Sequence, residues 1–123
     1  MKRIICVDDD PALRNVFSLI FARAGYDIVV CPDGEAIVNN KIQLPDIYIL
    51  DKQLSGFSGL DICLFLKSDP VTRLIPVIII SASPTLATDS NSVGADGYLE
   101  KPFKLKDILD LVESCTANRV LND

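Results

Sequence analysis

Acidic, hydroxyl and amino groups follow four short runs in this chain, and their types suit one chemistry. "RIICV" runs into Asp8, Asp9 and Asp10, "IYIL" into Asp51, "PVIII" into Ser81, and "GYLE" into Lys101. Adjacent carboxylates repel. If Asp51 joins Asp8 and Asp9, each like-charge pair within ~5 Å costs about 3 kcal/mol at an effective dielectric of ~20. Three such pairs approach ~10 kcal/mol, comparable with the whole stability of a small domain. Such a cluster calls for a cation. Oxygen ligands without nearby His or Cys select a hard ion, Mg²⁺, Mn²⁺ or Ca²⁺. Two or three carboxylates with open positions favour Mg²⁺, with Mn²⁺ as the alternative, because Mg²⁺ keeps waters and shares phosphate oxygens. Lys101 and Ser81 then add a positive charge and a hydroxyl for an oxyanion. Together these groups describe a phosphoryl site. No Gly-rich phosphate loop accompanies them, so side chains rather than a nucleotide cradle must hold the phosphoryl group.

The elements that position these groups alternate. Residues 3–7, 47–50 and 76–81 are apolar without alternation, as strands buried on both faces are, and 27–31 and 97–100 are weaker strands. Leu13, Val16, Phe17, Ile20, Phe21 and Ala24 repeat at helical spacing, and Gly25 sits where that helix ends. Leu105, Ile108, Leu109, Val112 and Cys115 place another helix over 104–118, and 34–42 and 59–67 supply two more. The order βα repeats about five times. The fold class is therefore α/β, a doubly wound parallel sheet with helices on both faces. Ligands in such folds bind beyond the carboxyl ends of the strands, where Asp8, Asp9, Asp51, Ser81 and Lys101 all fall. Asp10 is different. Before Pro11 it reads as a helix N-cap rather than as a chemical group.

Composition narrows the function further. The 123 residues form one domain with 49% hydrophobic and 24% charged residues. A net charge of −5 disfavours a nucleic-acid surface. "MKRIICV" is too short for a signal peptide or a membrane span. Four separated cysteines, Cys6, Cys31, Cys63 and Cys115, suit buried reduced thiols in a cytoplasmic protein. The chain has no histidine, which removes Ser-His-Asp and Cys-His catalysis and all His-ligated metal sites.

"VDDDP" at 7–11, "ILD" ending at Asp51, "SGFSGLD", "IPVIIISAS" and "GYLEKPF" together resemble the receiver domain of two-component response regulators, from about residue 3 to 115. The resemblance implies a five-stranded sheet in the flavodoxin-like order 2-1-3-4-5. It implies that Asp51 accepts a phosphoryl group from a histidine kinase or a histidine phosphotransfer protein. Asp9 is then the nearer Mg²⁺ ligand, Asp8 acts largely through water, and the backbone carbonyl of Gln53 joins Asp51 as a further ligand. Ser81 and Lys101 contact phosphoryl oxygens, Tyr98 pairs with Ser81 in the switch, and Pro102 is cis. The phosphorylated form would present a protein-binding face built from residues 82–115, with no nucleic acid or membrane involved. The protein would be an acceptor rather than an enzyme.

Departures from the family pattern are local. Leu54-Ser55 replaces the common Met-Pro, Lys52 follows the acceptor and biases which donor docks, and Gln53 and Ser83 occupy the positions that set phosphorylation lifetime. The tail, 116–123, is too short to be an output domain, so a stand-alone receiver is expected. Two other classes compete. A haloacid-dehalogenase-type phosphatase needs a second Asp two residues after its nucleophile, where Gln53 follows Asp51. A phosphorylation-independent scaffold module is the alternative within the same fold, but it would be free to lose the acid pair, Ser81 and Lys101. Two helices carry further expectations. "LDICLFL" (60–66) has more apolar residues than one face can bury, leaving one leucine exposed in a wide core stripe. The fourth helix, capped by Ser83 ahead of Pro84, should be short, because Thr88, Asp89, Ser90, Asn91 and Ser92 together cost about 2–3 kcal/mol relative to alanine.

Overall fold

The computed structural model describes the backbone of residues 1–121 and the side chains of residues 1–117. Its elements, in chain order, are β1 (Arg3–Val7), α1 (Pro11–Arg23), β2 (Asp27–Cys31), α2 (Glu35–Val38), β3 (Ile47–Asp51), α3 (Gly59–Ser68), β4 (Val77–Ser81), α4 (Leu86–Ser92), β5 (Gly97–Glu100) and α5 (Leu105–Leu121). All strand pairs are parallel, in the order β2-β1-β3-β4-β5. The doubly wound sheet and its implied order are both observed.

Period-2 geometry splits each central strand between two cores. Ile4, Cys6, Ile47, Ile49, Ile78 and Ile80 pack with Phe17 and Phe21 of α1 and with Ile108 and Val112 of α5. Ile5, Val7, Tyr48, Leu50, Val77 and Ile79 pack on the other face with Ile37 of α2, Ile62, Cys63 and Leu66 of α3, and Leu86 of α4. That double burial is why β1, β3 and β4 read as unbroken apolar runs. Each buried Ile or Leu contributes roughly 1.5–3 kcal/mol, so these strands form the rigid base of the site.

Helix ends follow local chemistry. The Asp10 carboxylate caps α1 by accepting from the Ala12 amide at 2.9 Å, with Pro11 in the first turn. Gly25, at φ +91°, closes α1: the Tyr26 amide donates to the Phe21 carbonyl and the Gly25 amide to that of Ala22. Helix α2 is only four residues, against the nine expected over 34–42. Asn40 explains the difference. It takes φ +57°, and the Lys41 and Asn40 amides donate to the Ala36 and Ile37 carbonyls, the same cap made without glycine. Helix α3 opens on a reciprocal capping box between Ser58 and Asp61. It buries Ile62, Cys63 and Leu66 and exposes both Leu64 and Phe65, one large side chain more than the single leucine expected.

Helix α5 continues to Leu121, so the segment expected as a tail from residue 116 is helical as far as it is described. Residues 122 and 123 lie outside the described residues. Among the described residues no helix is long and apolar enough to cross a membrane. Cys6, Cys31 and Cys63 are buried free thiols and Cys115 is half-buried.

Candidate functional site

Three strand ends extend the sheet by one hydrogen bond each, and this places the polar residues. The Asp8 amide donates to the Cys31 carbonyl at 3.0 Å, Lys52 to Ile80 at 2.8 Å, and Lys101 to Ser81 at 2.9 Å. The side chains at these positions therefore share one edge, fixed by the ladder rather than by loops. Helix α3 comes in close beneath them. A Cβ at Gly59 would collide with the Asp51 carbonyl, and the Gly59 amide donates to the Lys52 carbonyl at 2.9 Å.

The expected acids meet. Asp8, Asp9 and Asp51 each offer a carboxylate oxygen within 4.8 Å of the others. Their environments differ. Asp8 is fully buried, Asp51 is 6% exposed, and Asp9 is open to solvent. Lys101 bridges the two buried acids, its ammonium 3.1 Å from Asp51 Oδ2 and 3.5 Å from Asp8 Oδ2. The sequence-based sum of three unrelieved repulsions therefore needs correction, because the protein brings its own cation. Asp8 Oδ1 also accepts from the Asp10 amide at 2.9 Å, and Arg14 donates to the Asp8 carbonyl at 2.7 Å.

The titration behaviour follows. Burial pushes the Asp8 carboxyl above the usual aspartate range. The Asp10 amide pulls it back, and the charge of Asp51 raises it again. Burial would lower the Lys101 ammonium, but the hydrogen bond and charge of Asp51, with those of Asp8, outweigh it and hold its pKa above the usual lysine value. Lys101 is thus a fixed cation. Burial foremost, then the charge of Asp8, drives the Cys6 thiol well up, so Cys6 is a packing residue rather than a nucleophile.

Ser81, the last residue of β4, is buried, and its hydroxyl oxygen accepts from the Ser83 amide at 3.0 Å. Gln53 is exposed, and its amide donates to Asp51 Oδ1 at 3.3 Å. An open groove of about 500 Å³, lined in part by Asp9, Lys52, Gln53 and Ser55, gives solvent access beside the acids. Tyr98 pairs with Ile79, two residues back from the Ser81 level, and is exposed. The Lys101–Pro102 bond is cis, as the resemblance implied.

A family profile for the response regulator receiver domain matches residues 4–113. The chain belongs to the response regulator receiver domain family. It is 33% identical over 120 residues to the DNA-binding response regulator MtrA of Mycolicibacterium smegmatis, covering 92% of this chain and 50% of that protein. The chain thus spans about half the length of the curated relatives it matches. Among solved structures, the receiver domain of a signal transduction histidine kinase from Syntrophus aciditrophicus superposes with a TM-score of 0.88 at 27% identity, over 96% of this chain and 92% of that one. The receiver domain of sensor histidine kinase PA1611 from Pseudomonas aeruginosa, 23% identical, gives 0.82 over 94% and 98%. That receiver domain holds a magnesium ion in its active-site cleft.

One set of polar contacts in this receiver domain escaped the sequence reading. Lys52 donates to Asp89 Oδ2 at 2.7 Å and to the Ser83 hydroxyl at 3.2 Å, and Thr85 donates to the same Asp89 oxygen at 2.7 Å. The available signal was small: a lysine directly after Asp51, and Thr85 and Asp89 four residues apart. The fourth helix is short, as expected, but Ser83 does not cap it. The Ser83 hydroxyl accepts from the Thr85 amide at 3.3 Å in a turn, and α4 begins at Leu86 with no side-chain cap at Thr85.

Proposed function

We propose that this receiver domain accepts a phosphoryl group on Asp51 from a phosphohistidine of a histidine kinase or phosphotransfer protein, and thereby switches a protein-binding face. The gathering of Asp8, Asp9 and Asp51 within 4.8 Å, with Lys101 on Asp51, carries this reading. An oxygen of the Asp51 carboxylate bonds to phosphorus as the bond from phosphorus to the donor's imidazole nitrogen breaks. The electron pair stays on that nitrogen. Lys101 stays protonated throughout and balances charge on the phosphoryl oxygens. Ser81, whose oxygen already accepts from Ser83, keeps its own proton to donate to one of those oxygens. The Lys52 amide is committed to Ile80, whereas the Gln53 amide, now on Asp51 Oδ1, is a backbone donor at the reacting group.

The donor set fits Mg²⁺: three carboxylates with only oxygen ligands, one of them open to solvent. Asp8, Asp9, Asp51 and the Gln53 carbonyl would hold it, and when bound it supplies positive charge to the phosphoryl oxygens. The magnesium in the similar cleft of the Pseudomonas receiver supports this assignment. Movement of Ser81 toward the phosphoryl group opens room for Tyr98, and the face altered for a downstream protein lies within residues 82–115. The domain acts as an acceptor, not as a turnover enzyme.

Acetyl phosphate with Mg²⁺ tests this. Intact mass should rise by one phosphoryl group in the wild type and stay unchanged in Asp51→Asn or without Mg²⁺. A wild type left unmodified by acetyl phosphate and by histidine kinases alike would end the proposal.

A further inference from the structure

We propose that Lys52 is a positioning residue of the phosphoacceptor site: through Asp89 it holds α4 and the Ser81 loop in the resting arrangement, and its release from Asp89 accompanies phosphorylation. This rests on Asp51 being the acceptor.

The two ends of the ion pair are held very differently. Lys52 has both backbone groups committed, its amide to Ile80 in β4 and its carbonyl to Gly59 in α3. Its side chain is 17% exposed. It is a fixed post, one residue from Asp51. Asp89 lies on a seven-residue helix that lacks a side-chain cap. On the buried face of that helix, the Ser90 hydroxyl has no hydrogen-bond partner among the described residues. A buried hydroxyl without a partner weakens the packing it sits in. Among the described residues, the Lys52–Asp89 pair is the only ion pair made by a residue of α4.

The same contacts reach Ser81. The Ser81 oxygen accepts from the Ser83 amide, the Ser83 hydroxyl accepts from Lys52, and Thr85 contacts both the Ser83 hydroxyl and Asp89. Ser81 therefore cannot turn toward Asp51 without disturbing the segment that Lys52 secures. A phosphoryl dianion on Asp51 that draws the Ser81 hydroxyl toward it pulls on Ser83 and Thr85, and so competes with the hold that Lys52 keeps on this segment. Only a weak tie can yield to that competition. Lys52 is largely covered but the Asp89 side chain is 30% exposed. An ion pair in contact with solvent at one end biases an equilibrium by only about two- to fivefold, so it sets the resting position without locking it.

Asp89→Asn separates this device from simple structural support. The variant keeps the side-chain shape and lies outside the acid cluster. In the unphosphorylated protein, amide exchange across residues 86–92 should rise by about two- to fivefold. The dissociation constant for beryllofluoride with Mg²⁺ should fall by about the same factor, because the variant no longer opposes the switched arrangement. Lys52→Arg, which keeps the charge, should stay near wild type in both measurements. Faster exchange without tighter beryllofluoride binding would make the pair a structural contact only and overturn the proposal, as would no change in either. Wild-type protein that takes neither beryllofluoride nor a phosphoryl group would instead remove the acceptor reading and the coupling with it. The exchange of Asp89→Asn would still report what the pair does in the resting protein.

Discussion

Two lysine–aspartate pairs tie the α3–α4 side of the sheet together, one at each end of β4, and at first sight they are twins. Lys52–Asp89 lies beyond the carboxyl ends of the strands and Lys67–Asp96 beyond the amino ends. Both measure 2.7 Å, and both lysine side chains are 17% exposed. Their remaining partners differ. Lys67 also donates to the Arg73 and Ile75 carbonyls, at 3.2 and 3.0 Å, and Asp96 Oδ2 also accepts the Val77 amide at 2.8 Å. Lys52 and Asp89 are completed by the hydroxyls of Ser83 and Thr85. Backbone groups at the start of a buried strand cannot rotate away, whereas hydroxyls on a loop and a helix entrance can. Equal distance and equal lysine burial therefore do not mean equal function. The partners make Lys67–Asp96 a staple and Lys52–Asp89 a device that can let go.

The largest effect expected from this comparison is at the staple. Asp96→Ala removes the ion pair and leaves the Val77 amide, the first of β4, without its side-chain acceptor. A charge-assisted hydrogen bond of this kind contributes about 2 kcal/mol, which urea titration should show as lost stability. If Asp96→Ala is no more destabilising than Asp89→Asn, the two pairs are equivalent and the distinction between staple and latch fails.

Lys101 is a third case, one ammonium shared by two buried carboxylates, Asp51 and Asp8. One cation cannot neutralise both, and Asp8 bears the excess because it is fully buried. Asp8→Asn should therefore raise metal-free stability, by about 1 kcal/mol, since the Asn oxygen can still accept the Asp10 amide and Lys101 keeps Asp51. The same variant should lose most of the stabilisation that added Mg²⁺ gives the wild type. A lower melting temperature in chelator would show that Lys101 needs both acids. From the sequence alone, Asp9→Asn is the substitution expected to relieve the repulsion. Burial singles out Asp8, because Asp9 faces solvent and can shed its repulsion into water.

Much of the fold was legible because the strong signals are local. β1, β3 and β4 are buried on both faces and advertise it as unbroken apolar runs. Asp10-Pro11 is a start signal that works wherever it stands. The five site residues at four strand ends were readable for a similar reason, since a parallel sheet delivers every strand end to one edge. What escaped depends on competition or on long-range contact. Asn40 ended α2 by taking a left-handed conformation that asparagine tolerates but does not advertise. Ser83 looked like a cap, yet its hydroxyl was better used between Lys52 and the Thr85 amide. Lys52 and Asp89 are separated by 37 residues, and nothing in either neighbourhood announces the other. The short α4 was foreseen from its poor helix formers, but the ion pair that holds it was not.

The smallest expected effect is a pH dependence confined to α4. The hydrogen bond from Lys52 foremost, and that from Thr85, hold the Asp89 carboxyl below the usual aspartate range. Between that lowered value and the ordinary value of ~3.9, the unfolded chain binds more protons at this position than the native one. The support given by the pair is therefore fully present above about pH 4 and is lost as pH falls through the native pKa of Asp89. Wild type and Asp89→Asn share every other carboxylate, so acid effects on the Asp8, Asp9 and Asp51 cluster cancel between them. Amide exchange across 86–92, corrected for intrinsic rates, should be slower in the wild type at pH 7. The two proteins should converge as the carboxyl is protonated, while the amides of β4 show no such difference at any pH. Wild type and Asp89→Asn that exchange alike already at pH 7 would mean that the Thr85 hydroxyl, which the Asn oxygen still accepts, secures the helix rather than the charge of Lys52. The comparison with Lys67–Asp96 would then turn on hydrogen bonding alone.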